Sequence, residues 1–265
     1  MKKLGALVVG FGLIASFALA DTNTAVSVNA VGYVNKSLLP GGKLELVGVP
    51  FNTIGGAATT LEDLIGTNQL TKASSYASAD RVMLWNGTGY AAFAIKSNDC
   101  RFHNANSAGL WTGAATNPVI VPGMGFWIWS VSSSITTNPV CAAGEVVSSS
   151  NLTRNIYQGL NLLSHLFTCD LNVNQSNLTN SDVHADTAYG TADQITWWDA
   201  TNQRYHMWAM KSSDHQWHYA DSAAEWTHGP VSNTIVAGQG FWYRRQTNAT
   251  LTWVENNPYI NNLQQ

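Results

Sequence analysis

Charge is scarce in this sequence. Only 11% of its 265 residues are Asp, Glu, Lys or Arg, 13 basic against 16 acidic, so there is no basic footprint of the kind that neutralises phosphates, and nucleic acid is excluded as a partner. Cysteine is scarce as well. Cys100, Cys141 and Cys169 include no Cys-x-x-Cys pair, which leaves no thiolate knuckle for a metal. There is no Gly-x-Ser-x-Gly elbow, and no Lys-Ser/Thr follows Gly123-Met124-Gly125, which argues against a serine hydrolase and a phosphate loop. Beyond the N-terminus, no segment approaches the ~20 apolar residues of a bilayer-spanning helix. Helical signals are nearly missing: Thr60-Leu61-Glu62-Asp63-Leu64-Ile65 before Gly66 is the one candidate in the first half, with Thr59 or Thr60 as N-cap.

What is present begins with an address. Lys2-Lys3, an apolar run from Leu4 to Phe17, and Ala18-Leu19-Ala20 have the charged, hydrophobic and small-residue order of a secretory signal over residues 1–20. Cleavage after Ala20 leaves a mature chain with a net charge of −5, counted from the sequence without Lys2 and Lys3. Its solubility must come from Asn, Ser, Thr and Gly, the style of exported β-proteins. A secreted location, outside the cell, at its surface or in a periplasm, is expected, with no transmembrane segment in the mature chain.

The strongest pattern is a repeat. Ala79-Asp80-Arg81-Val82-Met83-Leu84-Trp85 is answered by Ala192-Asp193-Gln194-Ile195-Thr196-Trp197-Trp198. Tyr90, Lys96-Ser97, Trp111-Thr112 and Gly123-Met124-Gly125-Phe126-Trp127 are answered by Tyr205, Lys211-Ser212, Trp226-Thr227 and Gly238-Gln239-Gly240-Phe241-Trp242. The offset slips from 113 to 115 residues between Trp85 and Tyr90, at a turn, where insertions are cheap. This is the signature of a tandem duplication. Alternating apolar residues in Leu44–Val49 and Arg81–Trp85, and the Asn86-Gly87-Thr88-Gly89 turn signal, point to antiparallel strands. The expected fold is all-β: two tandem repeat units, residues 21–144 and 145–265, each a small β-sandwich or barrel-like domain. Their boundary is expected near Ala142-Ala143-Gly144. A single continuous sandwich built from both units is the alternative.

Asn29-Ala30-Val31-Gly32-Tyr33-Val34-Asn35 after a signal, Pro40-Gly41-Gly42, Val49-Pro50-Phe51, the Trp-Asn-Gly-x-Gly-Tyr turn and Pro122-Gly123-Met124-Gly125-Phe126-Trp127 resemble a set of uncharacterised exported proteins of the Verrucomicrobia and related bacteria. The likeness covers most of the mature chain and is degenerate in the second unit, where Pro122 is answered by Ala237. The resemblance implies export and a β-rich fold, and it carries over no catalytic residue.

Eleven tryptophans are the feature most able to carry function. On a strand, Phe126 and Ile128 share one face while Trp127 and Trp129 share the other, and Phe241 and Tyr243 stand likewise against Trp242 and Arg244. The second face, holding Trp127, Trp129, Trp242 and Arg244, is either recognition hardware for pyranose rings or a protein partner, or packing at the interface between units.

His165, His184, His206, His215, His218 and His228 all lie in the second unit. Asp214-His215-Gln216-Trp217-His218 has metal-ligand residue types, but its spacing suits neither a strand nor a supported helix, so no metal and no cofactor are expected. Asp80 and Asp193 occupy equivalent repeat positions, which suits bonding of backbone amides rather than one asymmetric catalytic pair. In oxidising surroundings Cys100 and Cys141 are the preferred disulfide, closing a loop of about 40 residues worth roughly 4 kcal/mol; Cys141 with Cys169 is the other pairing. The expected function is that of an exported, non-catalytic structural or assembly protein that self-associates. A carbohydrate-binding module with exposed aromatic strands, taking an extracellular glycan, is the alternative.

Overall fold

The computed structural model describes residues 31–52, 59–105, 110–112, 114–131, 140–220 and 226–259. The signal sequence, its cleavage point and the start of the opening strand lie outside the described residues. Strands make up 49% of the chain and helix one short segment, so the fold is mostly β, in antiparallel sheets.

The first half runs β1 (Val31–Lys36), β2 (Leu44–Val49), β3 (Phe51–Asn52), α1 (Leu61–Ile65), β4 (Arg81–Trp85), β5 (Tyr90–Lys96), β6 (Arg101–Ala105), β7 (Trp111–Thr112), β8 (Met124–Trp129) and β9 (Val140–Val146). The second runs β10 (Asn151–Ile156), β11 (Gly159–Ser164), β12 (Gln194–Asp199), β13 (Arg204–Lys211), β14 (Gln216–Ala220), β15 (Trp226–Pro230), β16 (Gly240–Arg245) and β17 (Leu251–Asn256). Helix α1 forms where its cap signal stood. The Thr60 side chain accepts from the Asp63 N–H while the Asp63 carboxylate accepts from the Thr60 N–H, and Gly66 ends the turn at φ 65°.

One large sheet runs through both halves in the order β15-β14-β13-β12-β16-β11-β8-β4-β5-β6-β7, with β2 also paired to β8. Two small sheets, β1-β9-β3 and β10-β17, complete the fold. In the first half, Val34, Val140 and Ala142 of the small sheet meet Val82, Phe126 and Ile128 of the large one in a core that also takes Leu61, Leu64 and Ile65 of α1. In the second, Ile156, Leu251 and Trp253 meet Trp208, Trp217, Phe241 and Tyr243. Phe126 and Ile128 are therefore core residues, as the alternation of β8 requires.

The sequence places the boundary between the units near Ala142-Ala143-Gly144. These residues lie inside β9, opposite Val34, Tyr33 and Gly32 of β1. Their smallness serves close approach rather than a linker: a Cβ on Gly144 would stand 2.4 Å from the Asn52 carbonyl oxygen.

The halves meet at a narrow seam where strand ends cross. Leu163 of β11 pairs with Met124 of β8, and Val47 of β2 bridges Gln239, just before β16. The Gly48 N–H donates to the Gly238 carbonyl at 2.8 Å, and the Ser164 N–H donates to the Gly123 carbonyl at 2.9 Å. The Gly-x-Gly sequences are what make this crossing possible. Gly123 and Gly238 turn at φ 82° and 72°, while a Cβ on Gly125 or Gly240 would come within 2.6 Å of the Leu163 oxygen or 2.9 Å of the Val47 oxygen. Gly125→Ala is expected to cost about 1–3 kcal/mol through overpacking against backbone that cannot swing aside. Gly89→Ala, with open space around its Cβ, is the control. Urea unfolding in which the two variants were equally stable would overturn this role.

Candidate functional site

The seam carries an aromatic cluster. Trp85 of β4 meets Trp242 of β16 edge to face at 5.3 Å between ring centroids, and Trp198 of β12 meets Trp127 of β8 in the same way at 5.4 Å. The polar ends match. Trp85 Nε1 donates to the Leu160 carbonyl at 3.0 Å and Trp198 Nε1 to the Leu44 carbonyl at 2.9 Å. Trp127 Nε1 donates to the Tyr90 hydroxyl at 3.1 Å, and Trp242 bonds the Tyr205 hydroxyl. Burial pushes both phenols up, and the bonds from the indoles pull partly against it.

Beside this cluster opens a cleft of about 340 Å³, lined by Trp85, Tyr90, Leu160, Thr196, Tyr205 and Trp242. Tyr90, Leu160 and Tyr205 are each about half exposed, at 47%, 47% and 51%. Their positions follow from strand pairing: Trp85 lies opposite Tyr90 across the β4–β5 hairpin, and Trp198 opposite Tyr205 across β12–β13. A larger groove of about 510 Å³ shares Trp85 and Leu160 with the cleft and continues along Asn86, Thr153, Arg154, Asn155, Tyr157 and Asn161.

The opposite corner, beside Trp198 and Trp127, is built differently. Met83 and Ala200 pack against the cluster there, and the turn between β12 and β13 lays Gln203 onto β2. The Gln203 side chain accepts from the Leu44 N–H at 3.0 Å and donates to the Leu44 carbonyl at 3.1 Å. This turn is two residues longer than the Asn86-Gly87-Thr88-Gly89 turn after β4, and it bonds across the seam.

Asp199 holds that turn, accepting from the backbone N–H and side-chain amide of Asn202 at 3.0 and 2.8 Å, with His206 at 3.5 Å. The Asn202 bonds and then His206 lower its carboxyl to about 2. The folded value lies below the ordinary ~3.9, so the stabilisation is present above pH 4 and is lost as pH falls toward 2. An NMR titration of Asp199 is expected to show its midpoint near 2, and a midpoint near 4 would remove this account of the turn.

The residues singled out from sequence scatter around this site. Trp127 and Trp242 are buried, at 2% and 7% exposure, with a neighbouring indole edge-on to each. They form the wall of the cluster, with Trp198 packed on Trp127 and Trp85 on Trp242. Trp129 is half-buried, with the Arg81 guanidinium 4.0 Å above its ring. Arg244 is exposed on β16, opposite Leu160. Missed as cleft residues were Trp85, Tyr90, Leu160, Thr196 and Tyr205. The Trp-turn-Tyr spacing, read as cross-strand geometry, would have paired each tyrosine with its tryptophan.

The three cysteines, Cys100, Cys141 and Cys169, are free. Cys100 sits at the exposed β5–β6 turn with φ 56°, in the large sheet. Cys141 lies within β9 of the small sheet, where its N–H and carbonyl are both bonded to the Gln69 side chain.

The histidines and aspartates serve the strands. His218 Nε2 meets Asp214 at 2.9 Å across the β13–β14 turn, as His103 Nε2 meets Asp99 at 2.8 Å across β5–β6. Each imidazole also stands edge-on to a tryptophan, Trp226 and Trp111 respectively. His215 bonds the Asn180 carbonyl. Among the described residues, no three His, Cys, Asp or Glu side chains converge as metal ligands. Asp80 accepts the N–H groups of Thr71 and Val131, and Asp193 those of His184 and Gln246.

The fold and this site define a mostly β chain of antiparallel sheets with an aromatic cleft at the crossing of its halves. Comparison with protein-family models, curated proteins and solved structures found no match.

Proposed function

We propose that this chain is an exported, non-catalytic binding protein that takes a saccharide ring in the cleft lined by Trp85, Tyr90, Leu160, Thr196, Tyr205 and Trp242. The carrying observation is the cleft itself, where aromatic and apolar surface stands beside the hydroxyls of Tyr90, Tyr205 and Thr196. Pyranoses present apolar C–H faces ringed by hydroxyls, which suits such a wall. Among the described residues no carboxylate lines it, which favours holding a sugar over hydrolysing one. The matched strand pairings β4-β8 with β12-β16, and β1-β9 with β10-β17, support reading the chain as a duplicated unit, each copy a small sandwich.

A glycan array together with pull-down on insoluble polysaccharides tests the reading. The wild type is expected to be retained on at least one glycan, and Leu160→Ala combined with Tyr205→Ala to lose retention while keeping its circular dichroism spectrum. Wild-type protein retained on none would end it. Self-association is the second reading, favoured by β1, an outer strand that exposes Val31 and Tyr33 at 59% and 70%. Sedimentation showing a monomer at every concentration would remove it.

A further inference from the structure

Arg154 of β10 is half-buried and is the one charged side chain among the residues lining the larger groove. Lys36 and Arg245 are ion-paired, with Glu45 and Asp193, while the half-buried Arg81 and Lys211 lie over aromatic rings. Among the described residues neither a carboxylate nor an aromatic ring is paired with the Arg154 guanidinium. Burial pushes its pKa down, with the Tyr157 phenol working the other way, yet a guanidinium keeps its charge at neutral pH. A half-desolvated cation without a counter-ion is costly unless something supplies the anion. The other polar residues lining the groove, Asn86, Thr153, Asn155, Tyr157 and Asn161, are uncharged, and Trp85 and Leu160 join the groove to the aromatic cleft.

We propose that the groove is a second subsite, selecting a saccharide that carries an anionic group, with Arg154 bonding a carboxylate or sulfate oxygen while the neighbouring ring rests in the cleft. The proposal rests on the saccharide reading above. Its chemistry is a planar donor fork meeting a two- or three-oxygen anion. A uronic acid and a sulfate ester both supply that anion, and they are separated by the probes used.

Isothermal titration of the mature protein with oligosaccharides of equal length tests it: oligogalacturonate, a sulfated oligogalactan and a neutral oligogalactan. At least one acidic probe is expected to bind more tightly than the neutral one, and raising the salt concentration should narrow the difference. Arg154→Gln should weaken acidic binding roughly tenfold or more and leave the neutral probe unchanged. Should that variant fold poorly, the wild-type acidic-over-neutral preference and its salt dependence decide the matter alone. Equal, salt-independent binding of acidic and neutral probes would overturn the role of Arg154 while leaving the cleft as a sugar site. Binding of none of the probes, with none on the glycan array, would overturn both.

Discussion

Asp193→Ala is expected to cost about 3–5 kcal/mol, more than a bare loss of hydrogen bonds would suggest. Asp193 is fully buried, and its carboxylate is ion-paired with Arg245, itself only 4% exposed. It also accepts the Tyr243 hydroxyl at 2.8 Å and the Gln246 and His184 N–H groups at 2.8 and 3.1 Å. Removing it strands a guanidinium inside the second half with the neutral Ala249 carbonyl and Tyr243 hydroxyl as its remaining partners among the described residues. Asp80 provides the comparison. It accepts two backbone N–H groups but has no such buried cation, because Ser130 follows β8 where Arg245 closes β16. Asp80→Ala should therefore cost about 2 kcal/mol, the loss of charge-assisted bonds alone. Urea unfolding that ranked the two variants equal, or a loss under about 1 kcal/mol for Asp193→Ala, would contradict the trapped-charge argument.

Trp127→Ala is the second large effect. The indole is buried at the seam, stands 5.4 Å from the Trp198 ring and 6.3 Å from Tyr205, and donates to the Tyr90 hydroxyl. Deletion opens a cavity where the two halves cross, so about 3–5 kcal/mol is expected. Trp129→Ala, half-exposed under Arg81, should cost nearer 1 kcal/mol. A Trp127→Ala protein that melts with the wild type would mean that the indole is not packing material, and would return it to the recognition face.

Much of the architecture was legible because it is local. The period-2 alternation of Arg81–Trp85 and Gly125–Trp129, the glycine turn after Trp85 and the Thr60 cap are written within a few residues, and side-chain direction on a strand follows from the backbone alone. The amide-bonding role of Asp80 and Asp193 was legible for the same reason, since position at the start of a strand limits what a short carboxylate can reach.

The candidate site was less legible because its parts are distant in sequence. Trp85, Leu160, Thr196 and Trp242 converge only after β8 and β11 cross. Alternation placed Trp127 and Trp242 on one face of their strands but could not say what covers that face. Cys100 and Cys141 looked like loop partners on composition; Cys100 does stand in a turn, between β5 and β6 of the large sheet, but Cys141 lies within β9 of a small one.

By itself the sequence determined where short strands run and which residues share a face of each, since these depend on backbone geometry and nearest neighbours. Tertiary structure decided which half-sheet faces met, and so which aromatic rings became wall and which became rim. It also decided that the longer turn between β12 and β13 would close one corner of the seam through Gln203 while the other, beside Thr196, stayed open. The reason is physical: burial of a side chain depends on the surface that arrives against it, and here that surface comes from the other half of the chain.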